Sequence, residues 1–310
     1  MTSAKTGAKN NIGLHRFAVL TAGATFLLII AGALVTSNDA GLAVPDWPLS
    51  YGTWMPPMVG NIVYEHGHRM VATSVGLLTT ILAAWLWSKE TRRWVRRLGF
   101  IALGAVIAQG VLGGITVLYL LPRPLSIGHA SLAQGFFGLT VSLAVFTSPG
   151  WKKAQPKAED TAAPPLRHLA AATTLALVVQ LILGAAVRHA LIGIVPHLVV
   201  AAVVVIGVAW TVRHIWQRPA TPAPLRRSAL ALAGLLGVQL ALGIGAYLIR
   251  IATADAVQPT SPMVTLTVAH VAVGALTLAA SLVLTLQCYH HLGRSGQLLP
   301  LASTTQKATV

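Results

Sequence analysis

Eight uninterrupted apolar runs constrain the fold of this chain more than any other feature. They cover residues 14–36, 66–88, 98–121, 126–148, 167–188, 195–216, 227–250 and 263–288. About 20 apolar residues cross the hydrocarbon core of a bilayer as a helix, and every run reaches that length. In lipid only helices and closed barrels satisfy all backbone N–H and C=O groups. Barrel strands would read as short segments of alternating polarity, whereas these runs are apolar throughout. The sequence therefore predicts an all-α integral membrane protein with eight transmembrane helices. Only 9% of its residues are charged, against roughly 25% in a soluble domain. Lys5, Lys9 and Arg16 stand before the first run. Its length and the lack of a small-residue cleavage site predict a retained helix, not a signal peptide.

The formal net charge of +15 would suit a nucleic-acid partner if it formed one patch, but its distribution argues against that. Basic residues cluster before the first run, after the second (Lys89, Arg92, Arg93, Arg96, Arg97) and after the fourth (Lys152, Lys153, Lys157, Arg167). They cluster again after the sixth (Arg213, Arg218, Arg226, Arg227) and the eighth (Arg294, Lys307). Only Arg69, Arg123, Arg188 and Arg250 fall elsewhere, so 18 of the 22 lie on one face. The positive-inside rule makes that face cytoplasmic and puts both termini there. The charge is topological, and no nucleic acid is expected. A plasma-membrane protein follows, with the other four arginines at its outer, periplasmic face. The single cysteine, Cys288, leaves no internal disulfide.

A repeat runs through the helices. A-Q-G-V-L-G-G-I-T (108–116), V-Q-L-I-L-G-A-A-V (179–187) and V-Q-L-A-L-G-I-G-A (238–246) share one pattern, and I-I-A-G-A-L-V (29–35) is a looser copy without the glutamine. Small residues at their centres permit close helix approach. Each copy leads into a helix that opens with a histidine: His68, His129, His197 and His270. Two pseudo-symmetric four-helix bundles are expected, 14–148 and 167–288, joined by a proline-rich and charged cytoplasmic linker at 149–166. Each half has an even number of helices, which makes the repeat parallel, not inverted.

One lone histidine in a membrane helix is usually just a hydrogen-bonded polar residue, but four in matching places ask for a common role. Four residues after each, on the same helical face, stand Ala72, Ala133, Ala201 and Gly274. All are small, which leaves clearance for a flat macrocycle. His66 lies roughly 200° around the helix from His68 and is followed by bulky Met70, so His68 is the better ligand. Two histidine pairs suggest two bis-histidine haem sites, with Arg69, Arg123, Arg188 and Arg250 placed to meet propionates. Zinc bound by histidine and carboxylate and a di-iron site from Glu-x-x-His are weaker readings. His189, beside Arg188, could support a propionate or simply belong to its loop. His15, His168, His214, His290 and His291 lie at cytoplasmic helix ends, where interfacial solvation accounts for them.

Glu65, one turn before His68, has no counterpart in the C-terminal segment L-I-G-I-V-P-H (191–197). A carboxylate in an apolar site is a candidate proton acceptor or stabiliser of positive charge. Catalysis is thus expected in the N-terminal half and electron handling in the other.

The loop G-L-A-V-P-D-W-P-L-S-Y-G (41–52), followed by E-H-G-H-R (65–69) and three further helix-head histidines, resembles the haem A synthase family over nearly all eight helices. The resemblance implies an oxidoreductase that converts the ring D methyl group of haem O to a formyl group by successive hydroxylation, giving haem A. It implies haem O as substrate at His68 and His129, with Glu65 as the functional acid. Haem b is then the cofactor between His197 and His270. The implied partners are a haem O synthase upstream, a haem-copper terminal oxidase receiving the product, a membrane electron acceptor, and homo-oligomeric copies of the chain. Many bacterial members carry a cysteine pair around the P-D-W-P-L stretch; Ala43, Val44 and Ser50 stand there instead. The loop can serve as a lid, and Trp47, Tyr51, Trp54 and Tyr64 can equally form an aromatic belt. The runner-up is a bis-histidine di-haem electron-transfer subunit, which would need two equivalent haems and no Glu65. A transporter would need helices broken at mid-membrane and ranks last.

Overall fold

The computed structural model describes residues 11–153, 157–160, 163–218 and 221–293. Lys5, Lys9, Arg294, Lys307 and parts of the linker lie outside these. Eight long helices account for nearly all of the described chain: α1 (Ile12–Ser37), α2 (Ile62–Lys89), α3 (Arg93–Leu118), α4 (Arg123–Thr147), α6 (Leu166–Arg188), α7 (Val195–Trp216), α8 (Ala223–Ala252) and α9 (Ser261–His291). All eight are long and apolar enough to cross a membrane, and the chain is a multi-pass membrane protein. Between α4 and α6 lie the short helix α5 (Pro149–Lys152) and a two-residue strand β1 (Ala158–Glu159), which pairs in parallel with β2 (Leu292–Gly293).

Most helices outrun their apolar runs, because polar residues still complete helical turns beyond the hydrocarbon. α2 begins at Ile62, not 66, which brings Glu65 and His66 into its first turns. Local chemistry sets several starts. The Asn11 side chain accepts from the Leu14 N–H at 3.1 Å, an N-cap. Proline in the first turn of α4, α7, α8 and α9 supplies the right φ where no N–H partner is needed. For α6 the cap comes from the linker: the Asp160 carboxylate accepts from the backbone N–H groups of Leu166 and Arg167 at 3.0 and 3.3 Å.

Packing follows the order of the chain. One buried apolar cluster, including Leu14, Val75, Leu82, Leu86, Phe136 and Leu143, is built from α1 to α4. A second, including Leu166, Val204, Ile215, Leu225 and Leu284, is built from α6 to α9. A small third cluster of Ile29, Phe137, Ala275 and Ala279 joins α1 and α4 to α9. The four helix-head histidines gather at one end of the bundle. Basic residues occupy the other, where Glu90 is buried between Arg92 (2.9 Å) and Lys152 (3.6 Å). Arg92 also donates to the Phe146 carbonyl at 2.7 Å, tying the α2–α3 turn to α4.

Candidate functional site

Each helix-head histidine rests on a glycine of the preceding helix. A Cβ added to Gly32 would stand 3.1 Å from the Cε1 of His68, and one on Gly113 3.0 Å from that of His129. The distances are 3.1 Å for Gly184 and His197 and 2.9 Å for Gly243 and His270. The repeat thus does more than let helices approach: the missing side chain of each glycine is the seat of an imidazole. His68 and His129 are near enough to interact electrostatically, as are His197 and His270. The described structure therefore groups the imidazoles as one pair in α1–α4 and one in α6–α9.

Three of these histidines have a neighbour whose part was not assigned from the sequence. The Nε2 amides of Gln109, Gln180 and Gln239 lie 3.5, 3.3 and 3.4 Å from the Nε2 of His129, His197 and His270. Gln109 also donates to the His129 carbonyl at 2.9 Å. His68 has no such partner. In all four imidazoles Nδ1 is buried without a hydrogen bond, and so is Oε1 of each glutamine. A buried polar atom left unpaired costs on the order of 1–3 kcal/mol, so the four matching ring nitrogens are a shared feature of the repeat, not an accident of one helix. Among the described residues no three histidine, cysteine or carboxylate side chains converge on a point where a metal ion could sit. A haem, whose macrocycle supplies most of the coordination, fits paired single imidazoles beside bare helix backbone. Beside Gly274 lies the Gln239 amide, 3.0 Å from where a Cβ would stand.

The N-terminal pair alone is roofed by a fixed loop. Glu65, 4% exposed, accepts from the Val44 N–H at 2.8 Å and pairs with Arg69 at 2.6 Å. Arg69 donates onward to the carbonyls of Asp46, Leu49 and Val44 at 2.8, 2.9 and 3.2 Å. His66 joins the Ser50 hydroxyl at 2.8 Å, so it faces the loop, as its phase relative to His68 requires. Inside the loop the exposed Asp46 carboxylate accepts from the N–H groups of Tyr51 and Gly52 at 2.7 and 2.8 Å. Those bonds hold it below the usual carboxylate range and stabilise the left-handed backbone at both residues (φ 53° and 70°). The Trp47 indole lies directly on the bare backbone of Gly114, next to the glycine that seats His129. Trp54, 81% exposed, points away from this packing. Trp47 thus packs on the helix that seats His129, whereas Trp54 packs on nothing among the described residues.

The other outer arginines differ. Arg188 donates to the Ser37 hydroxyl at 2.7 Å and the Ala33 carbonyl at 3.2 Å, so the end of α6 grips the end of α1 beside the His68 seat. His189 is half-buried, and burial together with Arg188 lowers its pKa, which leaves it neutral near neutral pH. Arg123 and Arg250 are exposed and make no hydrogen bond or ion pair with a described residue. At the opposite end a cavity of about 490 Å³ is lined by His15, Trp151, Gln287, His290 and His291 among others. Trp151 stacks on His290 at 4.2 Å, and His15 bonds the Ala144 carbonyl at 3.1 Å.

Comparison with known proteins bears on this geometry. Residues 15–196, more than half of the chain, match the family described as cytochrome oxidase assembly protein. The match takes in the loop, Glu65, His68 and His129, and stops one residue before His197. A haem A synthase of Symbiobacterium thermophilum is 29% identical over 250 residues, which is 70% of this chain and 80% of that protein. A haem A synthase of Lysinibacillus sphaericus is 34% identical over 114 residues, 36% of this chain and 37% of that protein. One from Roseobacter denitrificans is 36% identical over 122 residues, 35% of this chain and 31% of its own length. The chain thus spans about a third of two of these relatives and four fifths of the third.

Proposed function

Because the chain belongs to the cytochrome oxidase assembly protein family, we propose that it is a haem A synthase, oxidising the ring D methyl group of haem O to a formyl group in successive hydroxylations. The supporting observation is the two pairs of glycine-seated imidazoles with unpaired nitrogens, only one of which is roofed by a loop and a carboxylate. A di-haem electron-transfer subunit has no use for that difference.

In this reading His68 and His129 receive haem O, and His197 and His270 hold haem b. The bound haem b supplies one-electron chemistry. The remaining tasks fall to the chain. The glycine seats fix the planes of the imidazoles. The loop, held through Arg69, His66 and Trp47, excludes water from the substrate pair. Glu65 is the carboxylate placed to take up a proton or to stabilise positive charge, and its bonds to Val44 and Arg69 couple that role to loop closure. Arg123 and Arg250, with no partner among the described residues, are the better propionate partners. Arg69 and Arg188 are engaged by backbone and serine, and act through the structure around the sites.

The sites would face outward from the plasma membrane. A haem O synthase would supply the substrate, a haem-copper terminal oxidase would receive the product, a membrane acceptor would take the electrons, and self-association is compatible with the exposed apolar helices. The test is to express the chain with a haem O synthase in cells that make no haem A, then identify the extracted haems by chromatography and mass. Haem A or its hydroxylated precursor should appear with the native chain and not with His68→Ala. Unchanged haem O beside a folded, haem b-containing protein would favour the electron-transfer subunit.

A further inference from the structure

We propose that Arg188, in the C-terminal half, is a positioning residue for His68 in the N-terminal half, so that the first histidine pair is complete only with α6 docked on α1. This rests on the haem-binding reading above and deepens it: a residue outside α1–α4 sets the geometry of the substrate site.

The last turn of α1 holds no basic residue, although a cation there would complement the carbonyls left without an N–H partner. Arg188 supplies that cation from the other half. One guanidinium nitrogen donates to the Ala33 carbonyl at 3.2 Å and to the Ser37 hydroxyl at 2.7 Å, and Ser37 is buried. Ala33 directly follows Gly32, the seat of His68. Deeper in the bundle the halves meet through the apolar cluster of Ile29, Phe137, Ala275 and Ala279. Apolar contact is non-directional, whereas the two bonds of Arg188 fix how the end of α1 sits against α6.

The donor stands on a rigid base. Beyond Arg188 the chain closes α6 with Ala190 in the left-handed region (φ 53°). The Ala190 N–H donates to the Val187 carbonyl at 3.1 Å and the Leu191 N–H to the Ala186 carbonyl at 2.9 Å, the paired bonds of a Schellman end. His189, the next residue, lies close enough to His129 to interact electrostatically. The end of α6 therefore reaches the surroundings of both imidazoles of the N-terminal pair.

His68 is the ring most sensitive to such a tie. A glutamine amide lies within 3.5 Å of each of the other three rings, and His68 has no hydrogen-bonded neighbour among the described residues. Its orientation depends on its glycine seat, and so on where α1 stands. The charge of Arg188 also reaches His270, so the competing reading makes it a partner for a ligand at the C-terminal pair.

The experiment uses full-length protein purified with haem in both sites and reads the ferric form by electron paramagnetic resonance, whose g values report the angle between two axial imidazole planes. Signals are assigned to the two pairs with His129→Ala and His270→Ala. Arg188→Ala should shift the N-terminal signal and weaken haem binding there about 10-fold, the lower end of what loss of an outer partner costs a metal site. The C-terminal signal should stay in place. Ser37→Ala should shift the N-terminal signal the same way but less, and it decides the matter if Arg188→Ala does not fold. Arg188→Lys should restore the native signal in part, because one nitrogen serves both acceptors. In haem-free protein, backbone hydrogen exchange over residues 33–38 should quicken in Arg188→Ala. A shift confined to the C-terminal signal, or an N-terminal signal unmoved by the arginine and serine variants, would overturn the proposal while leaving the haem sites in place. A native chain with no bis-histidine signal from either pair would instead sink the reading on which it rests.

Discussion

The two halves differ far more in their connections than in their helices. Both seat two imidazoles on glycines, where an added Cβ would stand 3.0–3.1 Å from the ring in α1–α4 and 2.9–3.1 Å in α6–α9. Residues 38–61, between α1 and α2, form a loop tied down by Glu65, His66 and Arg69, whereas the α6–α7 connection is only residues 189–194. The same scaffold therefore presents two imidazoles twice, and beside one pair a longer loop is tied to a carboxylate and an arginine. That is the usual division of labour, with rigid elements placing groups and loops setting the chemistry.

If the clamp is what distinguishes the first half, breaking it should have the largest effect. Removing one partner of a buried ion pair costs about 3–5 kcal/mol, and Arg69 and Glu65 are 17% and 5% exposed in their side chains. Arg69→Ala should lower the melting temperature and open residues 41–52 to protease, with C-terminal haem retained. Equal loss of haem from both halves would mean the loop is not a local device.

Acid should act next, and from the opposite end of the same half. Burial alone would raise the Glu90 carboxyl, but hydrogen bonds from Arg92 and the charge of Lys152 outweigh it and hold it at about 2, against 4.5 ordinarily. A lowered acid stabilises the fold fully above its unfolded value and loses that contribution as pH falls through the folded one. The contribution is on the order of 3 kcal/mol. It should be intact above pH 4.5 and gone below about 2. Melting curves of Glu90→Gln should converge on the native curve over that window; a constant offset would contradict the assignment.

The seats themselves should give the smallest and most symmetrical effect. Gly113→Ala and Gly184→Ala each force an imidazole aside by a few tenths of an ångström, and overpacking of this kind costs about 1–3 kcal/mol. Titration with haem should show similar weakening at the two sites, each confined to its own half. A change in one only would mean the seats are not equivalent.

Much of this was legible in the sequence, for reasons that differ by residue. The helices were, because lipid demands long apolar runs. His68, His129, His197 and His270 stood out because a repeat multiplies a weak signal by four. The clamp was hidden, since Arg69 reaches the backbone at 44, 46 and 49, and no periodicity encodes the path of an irregular loop. Arg69 and Arg188 looked like Arg123 and Arg250 in sequence, yet only the first two are engaged within the protein. The glutamines were in plain view in three repeats. Their contact with the imidazoles emerged only with the ring positions, because a helical glutamine beside glycine also reads as ordinary packing.

The most direct measurement is the haem content of single-half variants expressed with a haem O synthase. Native protein should carry haem b together with haem O or its oxidised products. His270→Ala should lose the haem b, and His129→Ala should keep it while losing the rest. If both variants lost the same haems in the same proportion, the division into a substrate half and a cofactor half would be wrong.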